Sequence, residues 1–365
     1  MTKTNTIRAA VCRRFAKPLS VEEVSLPPLA AAQVRVRIKA CAVCHSDITF
    51  MDGGWGGVLP CVFGHEAAGV VLASGADADM QSGRRVVVSL LRSCGGCAFC
   101  QKGAPALCEG EFDNAGRLRD GENNNILAGL NTGAFAEEVV VHHSQIAPMD
   151  DDLPFDEASL LACGVLTGWG AVVNTAKVPP GASVAVVGCG GVGANCLQAA
   201  AIAQAQPVVA VDKSPDILQM APAFGADAVC LAGDDDNETA AQAYKINNGR
   251  GYDFVFMAAG SARAAELAMR LLSPLGAVVL AGMPPNNDFA KMDAATIASR
   301  QQRILGSKMG GAQLRRDIGK LLTLRRQGKL KLAELIAARR PLVQINDAVN
   351  AARKGGMLRN VVVFD

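Results

Sequence analysis

The sequence predicts an α/β protein, with a doubly wound parallel sheet in its second half and an irregular β-rich unit in its first. Three observations carry the prediction. Residues 183–193 read as an apolar strand ending in a glycine turn, followed by an alanine-rich helical stretch and a second strand that ends in Asp212. Strand and helix patterns then alternate as far as Gly306, as expected of a parallel sheet covered by crossover helices. Before Leu91, apolar residues come instead in short runs separated by turn residues, the pattern of half-buried strands.

Composition allows this architecture and excludes others. At 365 residues the chain has room for about two domains. Half of it is hydrophobic and 19% is charged, so a large core can form and wholesale disorder is not expected. A formal charge of +2 gives no reason to propose nucleic acid. No apolar run approaches the roughly 20 residues of a membrane span, and the opening Met1-Thr-Lys-Thr-Asn has no apolar leader character. Twelve cysteines therefore read as reduced thiols and metal ligands in a cytoplasmic protein.

In chain order, residues 7–12 and 34–38 are β-rich, and Val34-Arg-Val-Arg-Ile alternates with period two. Pro27-Pro28 breaks the chain between them. Residues 86–91 form another apolar strand that leads into Cys94-Gly-Gly-Cys97-Ala-Phe-Cys100, with Cys108 close behind. Four sulfurs at this spacing suit one tetrahedral Zn²⁺ or an iron–sulfur cluster, and the loop by itself does not choose. Two other islands hold reactive groups: Cys44-His45-Ser46-Asp47 and Gly64-His65-Glu66-Ala-Ala-Gly69. Cys163 lies in a third, Leu161-Ala-Cys163-Gly-Val-Leu-Thr167-Gly168. Together, Cys44, His65 and Cys163 would make a three-ligand zinc site with an open fourth position, although spacing cannot join residues so far apart.

In the second half, Gly188, Gly190, Gly191 and Gly193 form a glycine turn between strand and helix, and Asp212 follows nineteen residues after the last of them. Strand, turn, helix, strand and acid in that order indicate a dinucleotide-binding βαβ unit, with the pyrophosphate at the helix N-terminus. Asp212 can accept from ribose hydroxyls and would repel a 2′-phosphate, so NAD is favoured over NADP; Lys213 is the one nearby cation against that. The helical stretch covers 194–205, and strands follow at 207–212, 228–231, 253–258 and 277–281, with another starting at 303 and a helix at 262–272. Residues 234–236 read as a solvated acidic turn, 314–335 as a basic surface helix pair, and 359–365 as a terminal strand returning to the first unit.

Six islands in order resemble the zinc-dependent medium-chain alcohol dehydrogenases, nearest the class III-like branch that includes glutathione-dependent formaldehyde dehydrogenase. They are Val43-Cys44-His45-Ser46-Asp47, Gly64-His65-Glu66-Ala-Ala-Gly69, the four-cysteine lobe, Cys163-Gly-Val-Leu-Thr-Gly-Trp-Gly-Ala171 with Asn174-Thr-Ala-Lys-Val178, Gly188-Cys-Gly-Gly-Val-Gly193, and Gly282-Met-Pro-Pro285. The resemblance implies a GroES-like catalytic unit at residues 1–164 and 308–365, with a Rossmann NAD-binding unit at 165–307 between them. It also implies two zinc ions: a structural one at Cys94, Cys97, Cys100 and Cys108, and a catalytic one at Cys44, His65 and Cys163. The expected activity is alcohol–aldehyde interconversion by hydride transfer to NAD, in a homodimer or alternatively a homotetramer.

The residue roles follow from the same resemblance. Ser46 takes the alcohol proton, Asp47 orients His65, and Glu66 lies near the zinc. His45 and Arg359 contact the pyrophosphate, and Thr167 and Val192 pack around the nicotinamide. Three positions depart from the family pattern. Thr49 replaces the histidine that ends the proton relay in many relatives, and Ile217 replaces an adenine-side lysine. Phe112 replaces the arginine that binds glutathione's carboxylate, though Arg117 and Arg119 stand close by in the chain. The expected substrate is therefore a benzylic, allylic or medium-chain primary alcohol held beside Trp55, Leu90, Phe112 and Met283. The alternatives are a thiol-adduct formaldehyde dehydrogenase and, from another class, a non-catalytic NAD- or redox-sensing protein.

Overall fold

The computed structural model describes residues 6–112, 118–356 and 358–365. The opening residues 1–5 and Arg117, both used in the sequence reading, lie outside them. Two β systems occupy the N-terminal half. Strands Thr6–Cys12, Ser20–Ser25, Leu118–Arg119, Asn125–Ala128 and Cys61–Val62 close into a small barrel. A seven-stranded sheet is built around Gln33–Ala42, which pairs antiparallel with Glu66–Ser74 on one side. Its other partners are Glu138–His142 at its N-terminal end and Arg359–Val363 at its C-terminal end. The terminal strand thus returns across some three hundred residues, setting Val361 opposite Ala42 and Val362 opposite Cys41. Its burial explains the return, since Val361 and Val362 are both fully buried and bring apolar surface to a core that residues 33–42 cannot complete alone.

The second half is one six-stranded parallel sheet in the order Ala228–Leu231, Val208–Asp212, Val184–Val187, Tyr252–Met257, Leu272–Leu280, Arg303–Gly306. The order reverses beside Val184–Val187, and a crevice opens at such a switch point beyond the carboxyl ends of the strands. Val184–Val187 is buried at all four positions because helices cover both faces, which is why it reads as a continuous apolar run and not as an alternation.

Several sequence expectations change at the element ends. The helix after the glycine turn is Gly191–Ile202, starting three residues earlier than its alanine content suggests. Close approach at that turn requires residues of low helix propensity: a Cβ on Gly193 would lie 2.0 Å from the Gly188 carbonyl oxygen. Residues 234–236 are not a free turn. Asp235 caps helix Asp236–Ile246, accepting from the Asn237 and Glu238 amides at 2.7 and 3.4 Å, where a carboxylate satisfies otherwise unpaired amides. The expected helix pair at 314–335 is one helix, Leu314–Arg326, followed by a 3₁₀ turn at Ala333–Leu335. Gly328, at φ +67°, lets the chain leave the helix in a left-handed conformation.

Candidate active site and metal centres

Cys44 lies two residues beyond strand Gln33–Ala42 and caps helix His45–Met51. One turn into that helix, the fully buried Asp47 carboxylate reaches back. It accepts from the Cys44 amide at 3.3 Å and the Gly64 amide at 2.9 Å, and its Oδ1 lies 3.0 Å from His65 Nδ1. With Nδ1–H donated to Asp47, the lone pair of His65 resides on Nε2, and that buried atom has no protein partner. Ser89 Oγ donates to the Ala162 carbonyl at 2.7 Å, which brings the segment before Cys163 against the end of strand Arg85–Val88. The donor atoms of Cys44, His65, Glu66 and Cys163 consequently lie within 4.8 Å of one another, all buried. Buried polar atoms almost always have partners, so the orphaned His65 Nε2 fits a metal among these four donors. The hydrogen bond from Cys163 holds Cys44 well below the ordinary thiol pKa, while that bond and burial push Cys163 well above it. A dication bound here would favour both sulfurs as thiolates.

Glu66 is fully buried, and burial pushes its carboxyl up to about 8. Its Oε1 accepts from Arg359 Nη2 at 3.2 Å, while Oε2 has no partner. Arg359 stands at a junction: a Cβ on Gly191 would lie 2.4 Å from its guanidinium, and one on Gly164 2.8 Å from Nη2. The guanidinium thus fills the space beside the helix that follows the glycine turn, adding a cation to a helix N-terminus suited to anions.

The sulfurs of Cys94, Cys97, Cys100 and Cys108 also lie within 4.8 Å of one another, in a separate lobe. The backbone amides of Cys94 and Gly110 point at Cys108 Sγ from 3.2 and 3.3 Å, and that of Cys97 points at Cys94 Sγ from 3.3 Å. Amides of Cys100 and Glu109 pull Cys97 down to about 6, whereas desolvation pushes Cys100 up to about 12. All four sulfurs therefore become thiolates together only around a cation. Each sulfur has the others as neighbours and no open side faces the cleft, which is the arrangement of a structural zinc.

A cleft of about 1030 Å³ joins the buried donors to the glycine turn. Cys44, His45, Ser46, Cys163 and Arg359 line it at one end, with Thr167 and Val192 nearby. Gly188, Gly190, Gly191 and Asp212 line it further along. Asp212 accepts from the Cys189 and Ser214 amides at 2.7 and 2.9 Å, so its carboxylate is oriented and each oxygen retains a lone pair for a ligand. Ile217 and Lys213 lie on the same wall. His45 lines the cleft outside the donor group, and desolvation by the cleft walls and the Arg359 charge both lower its imidazole pKa. Thr49 Oγ1 donates to the His45 carbonyl at 2.9 Å and offers no base.

Three of the four expected substrate-pocket residues, Trp55, Leu90 and Met283, line the cleft. The fourth, Phe112, does not. Its ring stacks under the Arg92 guanidinium at 4.1 Å and meets the His142 ring edge-on at 5.0 Å, so cation–π and aromatic contacts hold it against the protein away from the cleft. Arg119 is in the barrel, bonded to the Asn123 carbonyl. Other residues at the cleft were given no role by the sequence reading. Met309 Sδ lies 3.7 Å from Cys163 Sγ, and the Pro284 carbonyl accepts from Trp55 Nε1 at 2.9 Å. The segment Arg353–Gly356 also lines the cleft; only its Gly-Gly pair hinted at an unusual backbone.

Residues 30–151 match the alcohol dehydrogenase GroES-like domain, and residues 191–324 match the zinc-binding dehydrogenase domain. The chain is 32% identical to S-(hydroxymethyl)glutathione dehydrogenase of Saccharomyces cerevisiae, over 98% of this chain and 96% of that one. Among solved structures, an alcohol dehydrogenase zinc-binding domain protein from Burkholderia ambifaria superposes with TM-score 0.92 at 29% identity, over the whole of both chains. Benzyl alcohol dehydrogenase from Acinetobacter calcoaceticus superposes with TM-score 0.90 at 27% identity, over 99% of each. Zinc and a nicotinamide dinucleotide are the cofactors these likenesses and the two donor groups support.

Metal analysis of purified protein is expected to find about two zinc ions per chain. Cys44→Ser or His65→Ala should lose one ion and turnover while the fold survives. Cys97→Ser should instead lower the melting temperature, because a closed four-sulfur site contributes directly to folding. Iron in place of zinc would overturn both assignments.

Proposed function

Since this chain belongs to the zinc-dependent alcohol dehydrogenase family, we propose that it oxidises a benzylic, allylic or medium-chain primary alcohol to the aldehyde with NAD, and reduces the aldehyde in reverse. The observation that carries the substrate class is the apolar wall of Trp55, Leu90 and Met283 in the cleft that also holds Cys44 and Cys163. Residues 1–164 and 308–365 act as the catalytic unit and 165–307 as the cofactor unit, and the protein works in the cytoplasm.

When bound, zinc supplies a Lewis acid and the dinucleotide a hydride acceptor; the protein supplies position and proton handling. Cys44, His65 and Cys163 hold the catalytic ion, and Cys94, Cys97, Cys100 and Cys108 the structural one. Asp47 fixes the tautomer and direction of His65, a role that raises ligand basicity. Ser46 Oγ receives the alcohol proton at the rim, and the proton leaves through water, because Thr49 is tied to the His45 carbonyl. Glu66, held by Arg359, modulates the ion's surroundings. Arg359 and His45 bind the pyrophosphate above Gly188, Gly190, Gly191 and Gly193, while Thr167 and Val192 wall the nicotinamide. The cleft that opens onto Cys44 and Cys163 supports an enzyme over a sensor, which has no need of substrate access to the ion.

A homodimer through the sheet edge completes the reading. Strand Arg303–Gly306 ends the parallel sheet, and Ile304 on it and Leu275 on the neighbouring strand are exposed. Such an edge invites strand pairing. Light scattering should give about twice the chain mass, and Ile304→Lys should halve it; a monomeric wild type contradicts this interface.

Two assays test the chemistry. Specificity constants for benzyl or cinnamyl alcohol should exceed that for ethanol by roughly tenfold or more, given about 0.8 kcal/mol for each buried CH₂. A higher constant for S-(hydroxymethyl)glutathione than for these alcohols would favour the thiol-adduct reading instead. For the cofactor, Asp212→Ser should raise the KM for NAD roughly tenfold, the equivalent of one hydrogen bond to a charged group, and narrow the gap with NADP. A wild type that prefers NADP would reject the role of Asp212.

A further inference from the structure

Beyond Asp212, the adenosine end of the cleft contains a second acid whose arrangement calls for an explanation. Asp212 ends its strand opposite Leu231, and the next residue, Ala232, donates its amide to the Asp212 carbonyl at 2.8 Å. The segment 232–236 therefore begins directly beside the presumed ribose acid, and Ala232, Gly233 and Asp236 line the same cleft. Arg263, from the first turn of helix Ala262–Arg270, also lines it. Its Nη2 donates to the carbonyls of Gly233 and Asp234, both at 2.8 Å, and to Asp236 Oδ1 at 3.0 Å; its Nε reaches the same oxygen at 3.2 Å. Lys213 lines the cleft as well, with no side-chain partner among the described residues.

A cleft with an arginine and a lysine beside the ribose acid has the cations that an NADP site uses, since an arginine commonly accommodates the 2′-phosphate. Here the guanidinium is engaged by Asp236 and two carbonyls. We propose that Asp236 is a second determinant of the choice of NAD over NADP, acting by holding Arg263 away from a ribose 2′-phosphate and by placing another negative charge near that group. The inference rests on the NAD reading above. Asp236 is a specificity residue, with no part in the chemistry at the zinc.

The arrangement makes an asymmetric demand on the two cofactors. NAD brings only hydroxyls to this end, which Asp212 can accept. NADP brings a phosphate that meets two carboxylates, while the matching arginine is already paired. Neutralising Asp236 removes one repulsive charge and releases one cation at a single stroke, with Lys213 in place as a second.

The test is calorimetric titration of the full-length, zinc-loaded protein with ADP-ribose and with 2′-phospho-ADP-ribose, so that nicotinamide chemistry does not enter. The wild type should bind ADP-ribose the more tightly. In Asp236→Asn, and in Asp236→Ser, which keeps a helix-starting side chain, the ratio of dissociation constants should shift toward the phosphorylated ligand by roughly tenfold or more. Adding Arg263→Gln to Asp236→Asn should remove most of that shift. A ratio unchanged in both single variants, or a shift undiminished by loss of Arg263, overturns the proposal. Failure of the wild type to bind ADP-ribose at all would instead defeat the NAD reading itself, and the proposal with it.

Discussion

The Asp47 carboxylate, fully buried, is the constraint on which the active site depends. A buried charge persists only when its oxygens are satisfied, and here the partners are the Cys44 amide, the Gly64 amide and His65 Nδ1. Those three groups belong to two separate islands of the chain. One side chain therefore sets the entry of helix His45–Met51, the turn before His65 and the direction of the imidazole together. The unpartnered His65 Nε2 is the consequence, and it points to a metal more directly than any spacing does.

Arg359 plays the complementary part on the other side of the donors. It pairs with Glu66 and lies against Gly191 and Gly164, so one guanidinium touches the metal centre, the helix carrying Thr167 and the glycine turn. This gives a physical reason for the return of the C-terminal strand. The chain leaves the first β system after Cys163, builds the parallel sheet, and must return as strand Arg359–Val363 to deliver a cation to the place where the two units meet. Contacts across the cleft reinforce the junction: Trp55 donates to the Pro284 carbonyl, and the Asn286 amide to the Gly54 carbonyl. The two sides of the cleft are thereby positioned relative to each other.

The electrostatics of the cleft divide its length. At the catalytic end, the groups are buried and mutually paired, with Glu66 against Arg359 and Cys44 beside Cys163. At the adenosine end all but Asp212 are more exposed, and they are arranged as alternatives, Asp212 and Asp236 against Arg263 and Lys213. Buried pairs of the first kind fix geometry, because separating them leaves an uncompensated charge. Partly solvated groups of the second kind are screened, and select among ligands that differ in charge.

What the sequence determined by itself was whatever is encoded locally. The glycine turn with its flanking strands, the four-cysteine lobe and the acid at Asp212 each lie within one short stretch, where periodicity and backbone freedom suffice to read them. Element ends were less legible: helix Gly191–Ile202 begins on glycines that propensity disfavours, and Asp235 looks like a solvated turn until its amide partners are known. Residue chemistry suggested the grouping of Cys44, His65 and Cys163, and only the resemblance implied it, since no local rule joins residues a hundred positions apart. Only the tertiary structure decided that Phe112 turns to Arg92 and His142 and away from the cleft, and that Met309, Pro284, Asp236 and Arg263 line it. The reason is physical: a loop residue's direction and a long-range contact depend on which surfaces pack together, and packing is a property of the whole chain, absent from any window of it.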